Sequence, residues 1–246
     1  MANGIVESYV GGNRVLDLIG AAERLALSRA LTVRTFRSGD VIQTPNGDVS
    51  FIDFPIDAVL SVVAEMSDGA LCEVGTIGNE GAAGLDVAFG STLLRTTVCQ
   101  VEGRVARLAR QTFLDAVYES RDFERLIGRV SQAQRFFVEQ QCACNAVHTL
   151  EKRCARWFMM IHERVARDTF AVTHDYLSVM LGVRRPTVSQ AAMRLQTAGI
   201  ITYHRGVVRV LDRKKLAAAC CECFEATQNV FESALTIKDE ALTATA

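Results

Sequence analysis

Residues 173–206, THDYLSVMLGVRRPTVSQAAMRLQTAGIITYHRG, leave the chain few ways to fold. Tyr176, Leu177, Met180 and Leu181 recur on one face of a short helix over residues 174–181. Thr173 stands where an N-cap is needed, and Asp175 is favourable in the first turn. Gly182 supplies a tight, left-handed end, after which Val183 turns back toward the core. Pro186 falls near the start of the next helix, where its missing N–H costs nothing. In that helix Val188, Ala191, Ala192 and Leu195 face inward, leaving Arg184, Arg185, Thr187, Ser189, Gln190 and Arg194 outward. Two short helices joined by a glycine turn, the second of them polar, are the signature of helix-turn-helix DNA binding.

Ala198-Gly199 closes the second helix, and the β-branched runs 200–203 and 207–211 flank His204-Arg205-Gly206. This pattern predicts a hairpin, a wing behind the recognition helix. Such a motif needs a basic surface, and the charge is distributed accordingly. Residues 150–215 carry 13 Lys/Arg against 5 Asp/Glu, a net +8, while the rest carries 14 against 23, a net −9. A basic footprint on an acidic body fits nucleic acid as the partner.

Upstream, residues 13–30 read as one helix with Val15, Leu16, Ile19, Leu25 and Leu27 apolar. From residue 31 to about residue 108 the period shortens, and glycine-bearing turn signals crowd in at Gly39, Asn46-Gly47, Asp68-Gly69, Gly78, Gly81, Gly90 and Gly103. Two hairpins are expected, one turning at Asp68-Gly69 and one at Glu102-Gly103, within a closed barrel or jelly roll. From Arg110 onward the pattern is helical. Phe123, Leu126, Val130, Ala133, Phe137, Gln140, Cys144 and Val147 alternate at spacings of three and four, a heptad seam that predicts a dimer interface, with packing on the chain's own barrel as the alternative. Residues 150–165 form a further amphipathic helix. Residues 213–231 read as one terminal helix, with a frayed end beyond.

Barrel, long helix and winged helix-turn-helix, in that order, resemble the Crp/Fnr family of bacterial transcription regulators. The resemblance runs from Arg14 to Phe224 and is strongest over residues 144–153 with Arg156-Trp157, and over residues 181–186. Those stretches are similar to a proteobacterial subgroup with a short N-terminus and a Cys-rich tail. The expected fold is α+β, with a cyclic-nucleotide-binding-like barrel over residues 1–120, a dimerisation helix over 121–148 and a winged domain over 149–246. Family resemblance implies a homodimeric transcription regulator on a near-palindromic operator, with double-stranded DNA, a second copy and RNA polymerase as partners. The DNA-contact set is then Arg184, Arg185, Thr187, Ser189, Gln190, Arg194, His204 and Arg205. The recognition helix departs from the family's Arg-Glu-Thr-Val-x-Arg. Pro186 replaces the Glu that accepts from cytosine, and Gln190 suits adenine.

The family's cyclic-nucleotide cassette is also incomplete. Gly84, Arg95 and Thr96 are the effector-binding candidates, but Leu85 stands where a Glu would hold the ribose, and Val138-Glu139 where Thr-Ser would hold adenine. A leucine cannot accept that hydrogen bond, so a response to cyclic AMP is not expected; a different anionic ligand at Arg95, or Arg95 merely pairing with Asp86, both remain open.

The chain contains no G-x-S-x-G, HExxH, P-loop or glycine-rich dinucleotide turn, so no enzymatic activity and no cofactor are expected. With 49% hydrophobic and 22% charged residues and no run of some 18 apolar positions, the protein is expected in the cytoplasm, away from membranes. Eight cysteines fit a reducing compartment. Side chains two apart on a helix point about 200° from each other, so Cys142/Cys144 and Cys221/Cys223 are not expected to chelate a metal. His148, His162, His174 and His204 are expected to cap helices or contact phosphate. The alternatives are a regulator that senses thiol chemistry or metal through its cysteines (Cys220, Cys221 and Cys223 above all), or one with a true cyclic-nucleotide response.

Overall fold

The computed structural model describes residues 7–9, 11–45, 49–90 and 95–236. The turn signal at Asn46-Gly47, the side chain of Leu25 and the chain beyond residue 236 lie outside the described residues. The N-terminal helix is two helices, α1 (Arg14–Asp17) and α2 (Ala21–Ala30), with an extended backbone at Gly20 between them. Asn13 caps α1 by accepting from the Val15 and Leu16 amides. Its buried side-chain amide also donates to the Pro55 and Gly81 carbonyls, at 2.8 and 3.0 Å. One residue thus ties the entry helix to two barrel segments.

Eight strands follow the barrel reading: β1 (Glu7–Ser8), β2 (Thr32–Phe36), β3 (Val41–Gln43), β4 (Phe51–Pro55), β5 (Val59–Glu65), β6 (Leu71–Ile77), β7 (Thr96–Val101) and β8 (Gly103–Ala109). They form two antiparallel sheets, β1-β2-β8-β4 and β3-β7-β5-β6. β5 and β6 are the expected hairpin, with Gly69 at φ 81° in the turn. The second expected hairpin does not form. β7 pairs with β3 and β5, whereas β8 pairs with β2 and β4, so the chain changes sheet at Glu102-Gly103. Gly103 permits this crossing, since a Cβ there would lie 2.5 Å from the Ala58 nitrogen. Ile52, Phe54, Leu60, Val105 and Leu108 are wholly buried between the layers.

Helix α3 (Arg110–Glu119) leads to α4 (Arg121–Val147), whose N-cap Ser120 accepts from the Phe123 amide. At 27 residues α4 is about 40 Å long and runs past both halves of the molecule. Its heptad stripe corrects the sequence reading. Phe123, Leu126, Val130, Ala133, Phe137 and Cys144 are at most 4% exposed within the single chain, where they pack on the chain's own cores. Gln140 is half-buried and donates to Cys223, and of the eight positions only Val147 is exposed. The stripe is an intramolecular seam, because the barrel and the C-terminal helices offer it an apolar surface first.

Helix α5 (Leu150–Val165) buries Trp157, Phe158, Met159 and Ile161 at the centre of the C-terminal domain. Then come β9 (Thr169–Ala171), α6 (His174–Leu181), α7 (Arg185–Thr197), β10 (Ile201–His204) and β11 (Val207–Val210). The wing is a three-stranded sheet ordered β10-β11-β9, so the hairpin of the sequence reading gains a strand from the segment before α6. The terminal helix is broken into α8 (Arg213–Ala219) and α9 (Cys223–Leu235), and α9 lies along α4. The two domains are docked through α5, where Arg164 pairs with Glu80 at 2.6 Å, both 8% exposed, and donates to Thr76 of β6.

Candidate nucleic-acid interface and effector cleft

The helix-turn-helix is built by the local chemistry of its sequence. Thr173 Oγ1 accepts from the Tyr176 amide at 3.1 Å, Gly182 ends α6 at φ 64°, and Pro186 sits in the first turn of α7. Val188, Ala191, Ala192 and Leu195 are buried under α7. Arg184, Arg185, Thr187, Gln190 and Arg194 are exposed on its outer face. Ser189 departs from the expected set. It is half-buried, bonded to His174 Nδ1 at 3.0 Å and to the Arg185 carbonyl, so its hydroxyl holds α6 against α7. Met193, 57% exposed, joins the outward face, a residue that polarity alone did not single out. Arg194 is held by Glu151 at 2.5 Å, and Arg185 lies 3.3 Å from Asp175.

His204 and Arg205 occupy the exposed tip of the wing. Arg205 and Gly206 have φ of 49° and 75°, the two positive values of a tight turn between the paired His204 and Val207. A non-glycine residue in the left-handed region is uncommon, and here it sets a cation at the apex. Behind it, His174 packs edge-on against Tyr203, with ring centroids 4.3 Å apart. Burial, and then the nearby Arg185, lower the His174 pKa, so its neutral form is favoured. His174 therefore serves the domain's packing rather than a phosphate.

A second concavity lies between the barrel and α4. This cleft of about 650 Å³ is lined by Gly84, Arg95, Thr97 and Gln43 on the barrel side and by Ser131, Gln134, Arg135 and Val138 on α4. It gathers two of the three expected effector residues. Thr97 takes the place expected of Thr96, because alternate strand residues point to opposite faces. Leu85, 3% exposed and packed in the barrel core, contributes to the cleft wall, as does Val138. Glu139 pairs with Arg135 at 3.0 Å.

The cysteines are arranged differently from the sequence expectation. Cys142 is exposed, whereas Cys144 is buried beside Cys221 and Cys223. The 200° argument fails for Cys221/Cys223, because Cys220 is extended at ψ 162° and the pair sits in the break between α8 and α9. His148, the C-terminal cap of α4, completes the group, contrary to the expectation that no metal-ligating set exists. Burial raises the thiol pKa of Cys144 and Cys220 to about 12, which disfavours reactive thiolates there.

Residues 152–219 match the model of the Crp-like helix-turn-helix domain. No curated protein matches the sequence. Among solved structures, FixK2 of Bradyrhizobium japonicum superposes with a TM-score of 0.67 at 16% identity, over 78% of this chain and 98% of that one. TTHB099, a Crp-family transcriptional regulator of Thermus thermophilus, gives 0.61 at 19% identity, over 76% and 95%. The c-di-GMP-responsive regulator CLP of Xanthomonas campestris gives 0.57 at 14%, over 75% and 95%. Residues 152–219 are therefore a Crp-like helix-turn-helix domain, and the chain around them has the fold of the Crp/Fnr transcription regulators.

Proposed function

We propose that the protein is a homodimeric, sequence-specific DNA-binding transcription regulator whose barrel cleft takes an effector other than cyclic AMP. The observation that carries the reading is the outer face of α7, where Arg184, Arg185, Thr187 and Gln190 stand exposed, together with the exposed Arg205 at the wing tip. Guanidinium groups suit phosphate and guanine, and a Gln suits adenine in a bidentate contact. Two copies would set their α7 helices in successive major grooves, about 34–36 Å apart. Pairing runs along the outer face of α4 through Gly128, Gln132, Arg135 and Cys142, opposite the buried stripe. Three of these, Gly128, Gln132 and Arg135, also line the cleft, so a ligand there would touch the dimer helix directly.

Against cyclic AMP stands the cleft's own chemistry. The cleft wall carries Leu85, which offers no acceptor to a ribose hydroxyl, and Val138, which offers no hydrogen bond to a base. A ligand shifts a conformational equilibrium only by its differential affinity for the two states. CLP answers to c-di-GMP, and a ligand of different shape but anionic character fits a cleft that carries Arg95 and Arg135.

The test is selection of duplexes from a random pool by the purified protein, followed by titration with and without millimolar cyclic AMP. The selected duplex should bind at least about 10³-fold tighter than a scrambled one. Cyclic AMP should leave that affinity unchanged. No enrichment would contradict the regulator reading, and a cyclic AMP-dependent gain lost in Arg95→Ala would contradict the effector reading.

A further inference from the structure

We propose that Cys144, His148, Cys221 and Cys223 form a structural zinc site that fastens the C-terminal helix pair to the end of the long helix. Their ligand atoms all lie within 4.8 Å of one another. Cys144 Sγ is 3.5 Å from Cys221 Sγ, and Cys223 Sγ is 3.6 Å from His148 Nδ1. Tetrahedral zinc, with bonds of about 2.3 Å to sulfur and about 2.0 Å to nitrogen, sets its ligand atoms roughly 3.5–3.8 Å apart. The cage thus has the size of one ion, and three buried cysteines with a largely covered histidine make it the closed kind that structural zinc occupies.

The surroundings fit a metal better than they fit four neutral side chains. His148 Nε2 lies 3.1 Å from a carboxylate oxygen of Glu222, which orients the ring so that Nδ1 faces the sulfurs. A carboxylate behind a histidine is the usual outer partner of a zinc ligand. Gln140 donates to Cys223 Sγ at 3.1 Å, a contact that a thiolate accepts better than a thiol does. Charge supplies a separate argument. Arg153 and Arg156 are 9% and 2% exposed, and among the described residues neither has a carboxylate within ion-pair distance. Arg153 donates to the Leu181 carbonyl and Arg156 to Gln141 and Met160, and the carboxylate that acts on Arg156, the buried Glu73, lies beyond ion-pair distance. Buried cations are costly when unpaired. Zinc entering this cage displaces the three thiol protons to solvent and leaves a centre of net charge −1 beside the two guanidiniums. The break between α8 and α9 also gains a reason, since residues 213–235 contain no glycine or proline to impose it. Interrupting the helix lets Cys221 and Cys223 converge.

The site lies where α4 hands over to α5, so the metal fixes the joint between the long helix and the DNA-binding domain. The test uses the full chain, purified under reducing conditions from zinc-supplemented cells. Elemental analysis should find about one zinc per chain, and X-ray absorption should show three sulfur neighbours and one nitrogen. Cys223→Ser and His148→Ala should lose the metal, while Cys72→Ser, in β6 of the barrel, should keep it. Because a ligand variant can fail to fold, cobalt is also titrated into the metal-free parent chain, where an intense thiolate-to-cobalt absorption band is expected. A chain that binds neither metal would overturn the proposal. So would zinc retained in Cys223→Ser, or a Cys144–Cys221 disulfide in the reduced preparation.

Discussion

Glu73 is a buried carboxyl of the barrel, set where it meets the winged domain. It is buried in β6 where that strand meets α6. Ser61 Oγ donates to its carboxylate and Gln100 donates at 3.1 Å, while Met180 of α6 lies against the Ser61 hydroxyl. Burial raises its pKa from 4.5 to about 7, against the opposing pull of the Ser61 hydrogen bond and of Arg164 and Arg156. For a carboxyl raised on folding, the folded state holds the proton more tightly. Its contribution to stability is therefore fully present below the unfolded pKa and is lost as pH rises through about 7. The lost contribution amounts to at most about 3 kcal/mol. Melting temperature should fall from about pH 5 to about pH 8 as the pH crosses both pKa values, and Glu73→Gln should flatten that slope. An equal slope in the variant would show that the pH dependence arises elsewhere.

Among the elements, α4 separates two roles that its sequence periodicity could not. Phe137 faces the cation of Arg164, 5.5 Å from its ring centroid, inside the chain's own core. Phe137→Glu should therefore cost at least about 3–5 kcal/mol and unfold the chain, not merely split a dimer. Gly128 is the complementary probe, because nothing lies within 4 Å of a Cβ built there. Gly128→Trp should leave the melting temperature nearly unchanged and yield monomers in sedimentation. A dimer that survives it would move the interface off this face. An apolar stripe reads the same whether its partner is another copy or the same chain, which is why Phe123 to Cys144 pointed to the wrong partner. The helix-turn-helix was legible because its signals are local: the cap at Thr173, the left-handed Gly182 and the N-terminal Pro186 each act within a turn of where they stand. The sheet change at Glu102-Gly103, the helix break at residues 220–222 and the meeting of Cys144 with Cys221 depend on residues far away in sequence. No local pattern announces them. The lining of the cleft beside α4 was half legible, since it includes Gly84 and Arg95, but the choice between Thr96 and Thr97 needed the strand register.

At the scale of the whole molecule, an acidic barrel half carries a basic winged domain, with the two locked by Arg164, Glu80 and Thr76. Such a charge separation would turn the C-terminal face toward DNA and the barrel away from it. The long α4 spans both halves, so a ligand in the cleft and a metal at the α4 end would act on the same rod. In the proposed division of contacts, α7 reads bases while the wing grips the backbone. Titrating the parent chain, Gln190→Ala and Arg205→Ala against selected and scrambled duplexes, over a range of salt, tests that division directly. Gln190→Ala should lose about 1–3 kcal/mol on the selected duplex alone. Arg205→Ala should weaken both duplexes alike and reduce the salt slope by about one unit. Equal losses from the two changes on both duplexes would contradict the account.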